Sequence, residues 1–136
     1  MSYNQVIIFK LNGVRYGIDI LQVQEIMRMV EITPVAEADP NIEGIVNLRG
    51  QVIKVINLSR LLGMPEKETD ENTRVIVVEN GGGKTGLIVD EVVEVGTYTD
   101  EEKEEPRLIG MDLAFLKEIV KKKDNILLVL DMSRII

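Results

Sequence analysis

Apolar and polar positions alternate with a period of two along much of this chain, interrupted at short intervals by turn residues, and the pattern predicts a protein built mainly of β-strands. Strands are expected at 6–11 and 14–18, joined through Asn12-Gly13, a pair suited to a two-residue hairpin because both turn positions take positive φ. The pattern returns at 74–79 and 84–89 across a glycine-rich turn at 80–83. A further hairpin joins 45–48 to 51–56 with Arg49-Gly50 at its tip, and another pairs 118–122 with 126–130 across 123–125. Between the hairpins the period changes. In 19–27, Ile20, Val23 and Met27 share one helical face behind Asp19, a residue that caps helix N-termini, so a short helix is predicted. Its counterpart, 90–95, is richer in Val and is expected to be more extended. Thr33-Pro34 ends whatever precedes it. Helical turns are predicted at 58–62, stopped by Gly63, and at 132–136.

The word counterpart reflects an internal duplication. With a shift of 69 residues, 6–26 lies on 75–95 without a gap, bringing Gly13 onto Gly82, Gly17 onto Gly86, and Val23 and Glu25 onto Val92 and Glu94. With a shift of 74, 46–62 lies on 120–136 and Ser59-Arg60 meets Ser133-Arg134. The chain therefore reads as one unit, 1–136, made of halves near 6–63 and 75–136. By propensity 112–123 resembles an amphipathic helix capped by Asp112, but the repeat makes its second part a strand, and the repeat is preferred because periodicity resolves short apolar windows poorly. Four or five strands in about sixty residues point to a small Greek-key or SH3-like barrel for each half. Units of that size bury too little surface to be secure alone, so the halves are expected to share a core, with a seam where a partner can bind.

Composition narrows the chemistry. Only 4% of the 136 residues are aromatic and Trp is absent, so the core must rest on Val, Ile and Leu. The longest uncharged apolar run, 126–130, is too short to cross a bilayer, and the first residues lack the basic flank and apolar stretch of a signal peptide, so a cytoplasmic location is expected. Without Cys there is no disulfide or thiolate chemistry. Without His the commonest general base and zinc ligand are missing. A net charge of −7 disfavours nucleic acid and anionic membranes as partners. The acidic runs 66–71 and 100–105 read as solvated loops and lack the alternating ligands and turn Gly of a calcium loop.

Candidate motifs mostly fail on spacing. In 81–86, GGGKTG, the first Gly of a phosphate-binding loop falls on Val78, so the segment reads as a turn. Ser2, Ser59 and Ser133 lack both a His and a nucleophile elbow. Asp19, Asp90 and Glu94 could face one site, although capping or surface roles are commoner for such residues. The informative stretch is 44–62, GIVNLRGQVIKVINLSRLL, which places Arg49 on a tight turn between two apolar strands. Such an Arg is either a solvated tip residue or a guanidinium presented on a rigid hairpin to an acidic or carbonyl-lined partner. The equivalent tip, Lys122-Lys123-Asp124-Asn125, is a generic polar turn, so the duplicated fold does not itself require Leu-Arg-Gly.

In these elements the chain resembles the CheW family of chemotaxis proteins. YGIDI…VQEI stands at 16–26, TPV at 33–35, the N-L-R-G element at 44–58, G-L-x-V-D-x-V-x-x-V at 86–95 and ILLVLD at 126–131. Lys54 replaces the family's usual Pro, and 100–115 follows no family pattern. The resemblance implies an all-β fold with a few short helices, arranged as two interlocked five-stranded SH3-like barrels. It implies a non-enzymatic adaptor, without catalytic residues, metal or cofactor, that couples the cytoplasmic tips of chemoreceptors to the regulatory domain of the histidine kinase CheA. In that family the receptor's helical hairpin docks between the barrels. Carried onto this sequence, the receptor-binding candidates are Ile20, Val23, Glu25 and Ile26, with Asn47, Arg49, Gly50 and Val52 from the hairpin. Val23 and Ile26 are as readily explained by core packing. The kinase surface is expected at one end of a barrel, with its residues unassigned. The alternatives are a CheW-like domain of another chemosensory pathway or a piece of a CheA- or CheV-type protein.

Overall fold

The structure is a computed structural model, and it describes residues 3–36, 38–110 and 113–135. The first half supplies β1 (Tyr3–Leu11), β2 (Val14–Asp19), β3 (Val23–Arg28), β4 (Ile42–Leu48), β5 (Gln51–Asn57) and the short helix α1 (Leu58–Leu61). The second supplies β6 (Arg74–Asn80), β7 (Gly83–Val89), β8 (Glu91–Thr99), the two-residue β9 (Lys103–Glu104), β10 (Leu116–Lys121) and β11 (Ile126–Leu130). These form two sheets, in the orders β8-β1-β2-β11-β10-β9 and β3-β6-β7-β5-β4. Apart from β9, each sheet is five-stranded, as the resemblance implies.

Neither sheet corresponds to one half of the sequence, which corrects the expectation of one barrel per half. The β1–β2 hairpin lies between β8 and β11, and the β6–β7 hairpin lies between β3 and β5. Each half thus lends its first hairpin to the other half's remaining strands. The pairings repeat with the sequence offsets. Val23 opposite Val78 in one sheet becomes Phe9 opposite Val92 in the other, 69 residues away at each position. Val46 opposite Ile53 becomes Val120 opposite Leu127, at an offset of 74. The parallel joins repeat as well, with Val55 opposite Gly86 and Val129 opposite Gly17.

Strand alternation divides the apolar residues into three clusters. Val46, Ile53, Val55, Val75 and Val77 fill the barrel of β3–β7, and Val6, Ile8, Val120, Leu127 and Val129 fill the barrel of the other sheet. The third cluster lies between the barrels on the reverse faces of the same strands, and includes Phe9, Ile18, Leu58, Ile76, Leu87 and Met132. It draws from both halves. Full burial of side chains of this size contributes about 2 kcal/mol each.

The predicted helix at 19–27 is not formed. Asp19 does cap a turn, its carboxylate accepting from the Leu21 amide at 2.9 Å, but the turn is a 3-10 segment of three residues, Ile20–Gln22. The chain then extends into the edge strand β3, paired along β6. The register shifts between Val23 and Glu25, where a bulge reverses the strand's faces. Val23 therefore packs on the central cluster and Met27 in the barrel interior. In sequence those two positions, four apart, imitate one face of a helix. Residues 116–121 are a strand, as the repeat required, while Asp112 and Ile136 lie outside the described residues.

Candidate functional site

The strongest polar constellation among the motif residues lies at the open end of the β3–β7 barrel. The β4–β5 hairpin turns through Arg49 at φ 49° and Gly50 at φ 85°. A non-glycine residue is strained in this left-handed region, and besides Arg49 only Asn12, in the first hairpin, adopts it among the described residues. Asn47 holds the turn: its Oδ1 accepts from the Gly50 amide at 2.9 Å. The turn aims the Arg49 guanidinium across the barrel mouth at Glu25 on β3. The pair is bidentate, Nη2 to Oε1 and Nη1 to Oε2, the latter at 3.3 Å. Hydrogen bonding from Arg49 holds the Glu25 carboxyl below its ordinary value, with help from the charges of Arg49 and Lys84. Glu25 in turn raises Arg49. The Arg49 side chain remains 70% exposed, so its fork is only partly used by Glu25.

The pair also closes the barrel. β3 and β4 are opposite edges of their sheet, and Glu25–Arg49 links them at one end. Further along, Thr33 and Ile45 exchange two backbone hydrogen bonds of 2.9 Å. Gly44 makes that approach possible, because a Cβ there would lie 2.2 Å from the Thr33 carbonyl oxygen. Sequence reading missed this role, although the position did depart from the repeat: the counterpart of Gly44 is Glu118, which carries a full side chain.

The remaining candidates divide by exposure. Ile26 is 39% and Val52 63% exposed, both apolar and available to a partner. Ile20 and Val23 are half-buried against the central cluster, so packing already accounts for much of their surface. Asp19, Asp90 and Glu94 do not form one site. Asp19 caps its turn, Asp90 accepts from the Asn12 amide at 2.7 Å, and Glu94 is exposed beside Arg15 and Lys123. Among the described residues no group of three or more Asp or Glu could hold a metal, and no helix is long and apolar enough to cross a membrane.

The opposite barrel carries the counterpart tip without its chemistry. Lys123 stands at the position of Arg49, no residue of that tip takes positive φ, and Glu94, the counterpart of Glu25, has no ion-pair partner among the described residues. Lys122 turns back instead, donating to the Thr97 carbonyl at 2.6 Å and pairing with Glu102 at 3.1 Å.

Known proteins share this arrangement. The family model described as CheW-like domain matches residues 5–136. Chemotaxis protein CheW of Bacillus subtilis is 34% identical over 134 residues, which are 97% of this chain and 86% of that protein. Chemotaxis protein CheW of Klebsiella aerogenes is 32% identical, over 97% of this chain and 81% of that protein. The crystal structure of scaffolding protein TtCheW from Thermoanaerobacter tengcongensis superimposes with a TM-score of 0.88 at 36% identity, covering 96% of this chain and 90% of that one. With two interlocked barrels, an Asn-Leu-Arg-Gly tip and matches along nearly its whole length, this chain belongs to the CheW-like family.

Proposed function

We propose that this protein is a cytoplasmic, non-enzymatic chemotaxis adaptor that couples chemoreceptor tips to the histidine kinase CheA. The observation that carries the reading is the Arg49 turn. Its strained backbone is held by Asn47 and its guanidinium is oriented by Glu25, yet most of the side chain still faces solvent. Strain at a polar surface position, maintained by dedicated contacts, favours a role in recognition over one in packing. The tip leaves donors free for the carbonyl or carboxylate groups of an incoming helical hairpin. Ile26 and Val52 supply apolar anchors, Ile20 and Val23 form the floor toward the central seam, and Gly50 keeps the tip low enough for close approach. An amphipathic helix laid against such a surface would bury its anchors and take its register from the charged pair.

Calorimetric titration against two partners tests the whole reading: a soluble receptor tip and the regulatory domain of CheA. Saturable binding to both is expected. A folded protein that binds neither would retain its family membership but lose this function.

A further inference from the structure

The mouth of the second barrel repeats the layout of the Arg49 site but leaves its charges unpaired. At an offset of 69, Glu25 and Ile26 become Glu94 and Val95, and at 74, Arg49 and Val52 become Lys123 and Ile126. Lys84, whose charge acts on Glu25, has Arg15 as its counterpart. Each position keeps its class: acid for acid, cation for cation, apolar for apolar. Arg15, Glu94, Val95 and Lys123 line one cleft of about 500 Å³, with Lys122 and Asp124 beside them. Tyr3 and Met132 line a separate cleft at the opposite end of the barrel.

The two mouths differ in how their charges are satisfied. In the first barrel Glu25 and Arg49 neutralise each other within the chain. In the second, Lys122 is engaged by the Thr97 carbonyl and by Glu102. Arg15, Glu94, Lys123 and Asp124 make no ion pair among the described residues. Two cations and two carboxylates thus surround one opening. A uniformly acidic or uniformly basic partner would bring like charges against two of them. The same surface turned through a two-fold axis brings opposite charges together, the self-complementarity that an isologous contact requires. With a net charge of −7, two copies of the chain repel each other on average. At this mouth the charges balance, and Val95 and Ile126, 53% and 59% exposed, offer apolar surface beside them.

We infer that the mouth of the second barrel pairs two copies of this chain about a two-fold axis, with Glu94 of each copy facing Lys123 of the other. The patch is small, so the dimer belongs to the transient class that buries less than about 1,200 Å². This surface shares no residue with the receptor surface proposed above, and the inference stands independently of that reading.

The test follows amide resonances of the isotopically labelled full chain from micromolar to millimolar concentration. Concentration-dependent shifts are expected at Glu94, Val95, Lys123 and Asp124, and they should diminish as salt is raised. Glu94→Lys and Lys123→Glu should each weaken association about tenfold or more, because each sets like charges across the axis. An equimolar mixture of the two variants should restore it, since the two reversed charges then face each other and so do the two native ones. Arg49→Glu should leave the association unchanged. Resonances independent of concentration up to millimolar would overturn the inference, as would shifts centred on Ile26 and Arg49. It is equally overturned if either single variant associates like the parent, or if the mixture stays monomeric.

Discussion

The two hairpin tips of this molecule occupy equivalent places in equivalent barrels, yet they behave differently. Leu48-Arg49-Gly50 is wound through positive φ and holds a guanidinium over Glu25, whereas Lys122–Asn125 folds its first lysine back onto its own barrel. Because the strand registers beneath the tips repeat residue for residue, the fold cannot be what demands the Arg49 arrangement. A duplicated protein contains its own control. Features present in both copies belong to the architecture, and features confined to one are candidates for function. The Ser-Arg pair illustrates the first kind: Arg60 and Arg134 each donate Nη1 to a carbonyl twenty residues earlier, at Pro40 and Ala114.

Targeted changes put the contrast between the copies to the test. The most severe is separation of the halves. Residues 1–68 retain β1–β5 but lose the β6–β7 hairpin and half of the central cluster, so that fragment should show no cooperative melt by circular dichroism. A cooperative transition would mean that one half can close a barrel unaided. Next is Gly44→Ala, which drives a Cβ into a backbone oxygen and should cost about 3 kcal/mol in urea unfolding. At the equivalent position Glu118 already carries a side chain, one of whose carboxylate oxygens is buried without a hydrogen-bond partner. Glu118→Ala should therefore remain within about 1 kcal/mol of the parent. Equal losses at the two positions would show that the barrels close alike.

The tips themselves give effects on binding rather than stability. Arg49→Glu should weaken receptor-tip binding roughly thirtyfold or more with the melting curve nearly unchanged, as loss of an interface anchor does. Lys123→Glu, at the equivalent place, should change it by less than about twofold. If both substitutions weaken binding alike, the asymmetry between the tips is not functional. The smallest effect is in titration. The folded-state pKa of Glu25 lies below its ordinary value of 4.5, so its ion pair contributes fully above that value. The contribution is lost as pH falls through the lower folded-state value. A side-chain carboxyl titration by NMR should place the midpoint below 4.5 and shift it upward in Arg49→Gln.

Much of the strand pattern was legible in the chain, because alternation, Asn12-Gly13 and Arg49-Gly50 are local signals. The helix predicted at 19–27 failed for an equally local reason: a bulge at an edge strand gives Val23 and Met27 the spacing of one helical face while sending them into different cores. Among the site candidates, Arg49 stood out by its turn, whereas Asn47 entered only through the family resemblance. The bond between Arg49 and Glu25 could not be read, since it spans two edges of a sheet that meet only on closure.

From sequence alone come the β-rich class, the hairpins, and a duplication whose offsets of 69 and 74 reappear as strand registers. The exchange of hairpins between halves was settled only in three dimensions. β1–β2 and β6–β7 present nearly the same apolar pattern, so either could complete either barrel by periodicity. The central cluster rewards the exchange: Phe9 and Ile18 from one hairpin pack with Ile76 and Leu87 from the other only when both hairpins lie back to back between the barrels. Burial of that shared surface is a non-local quantity, and no window of sequence contains it.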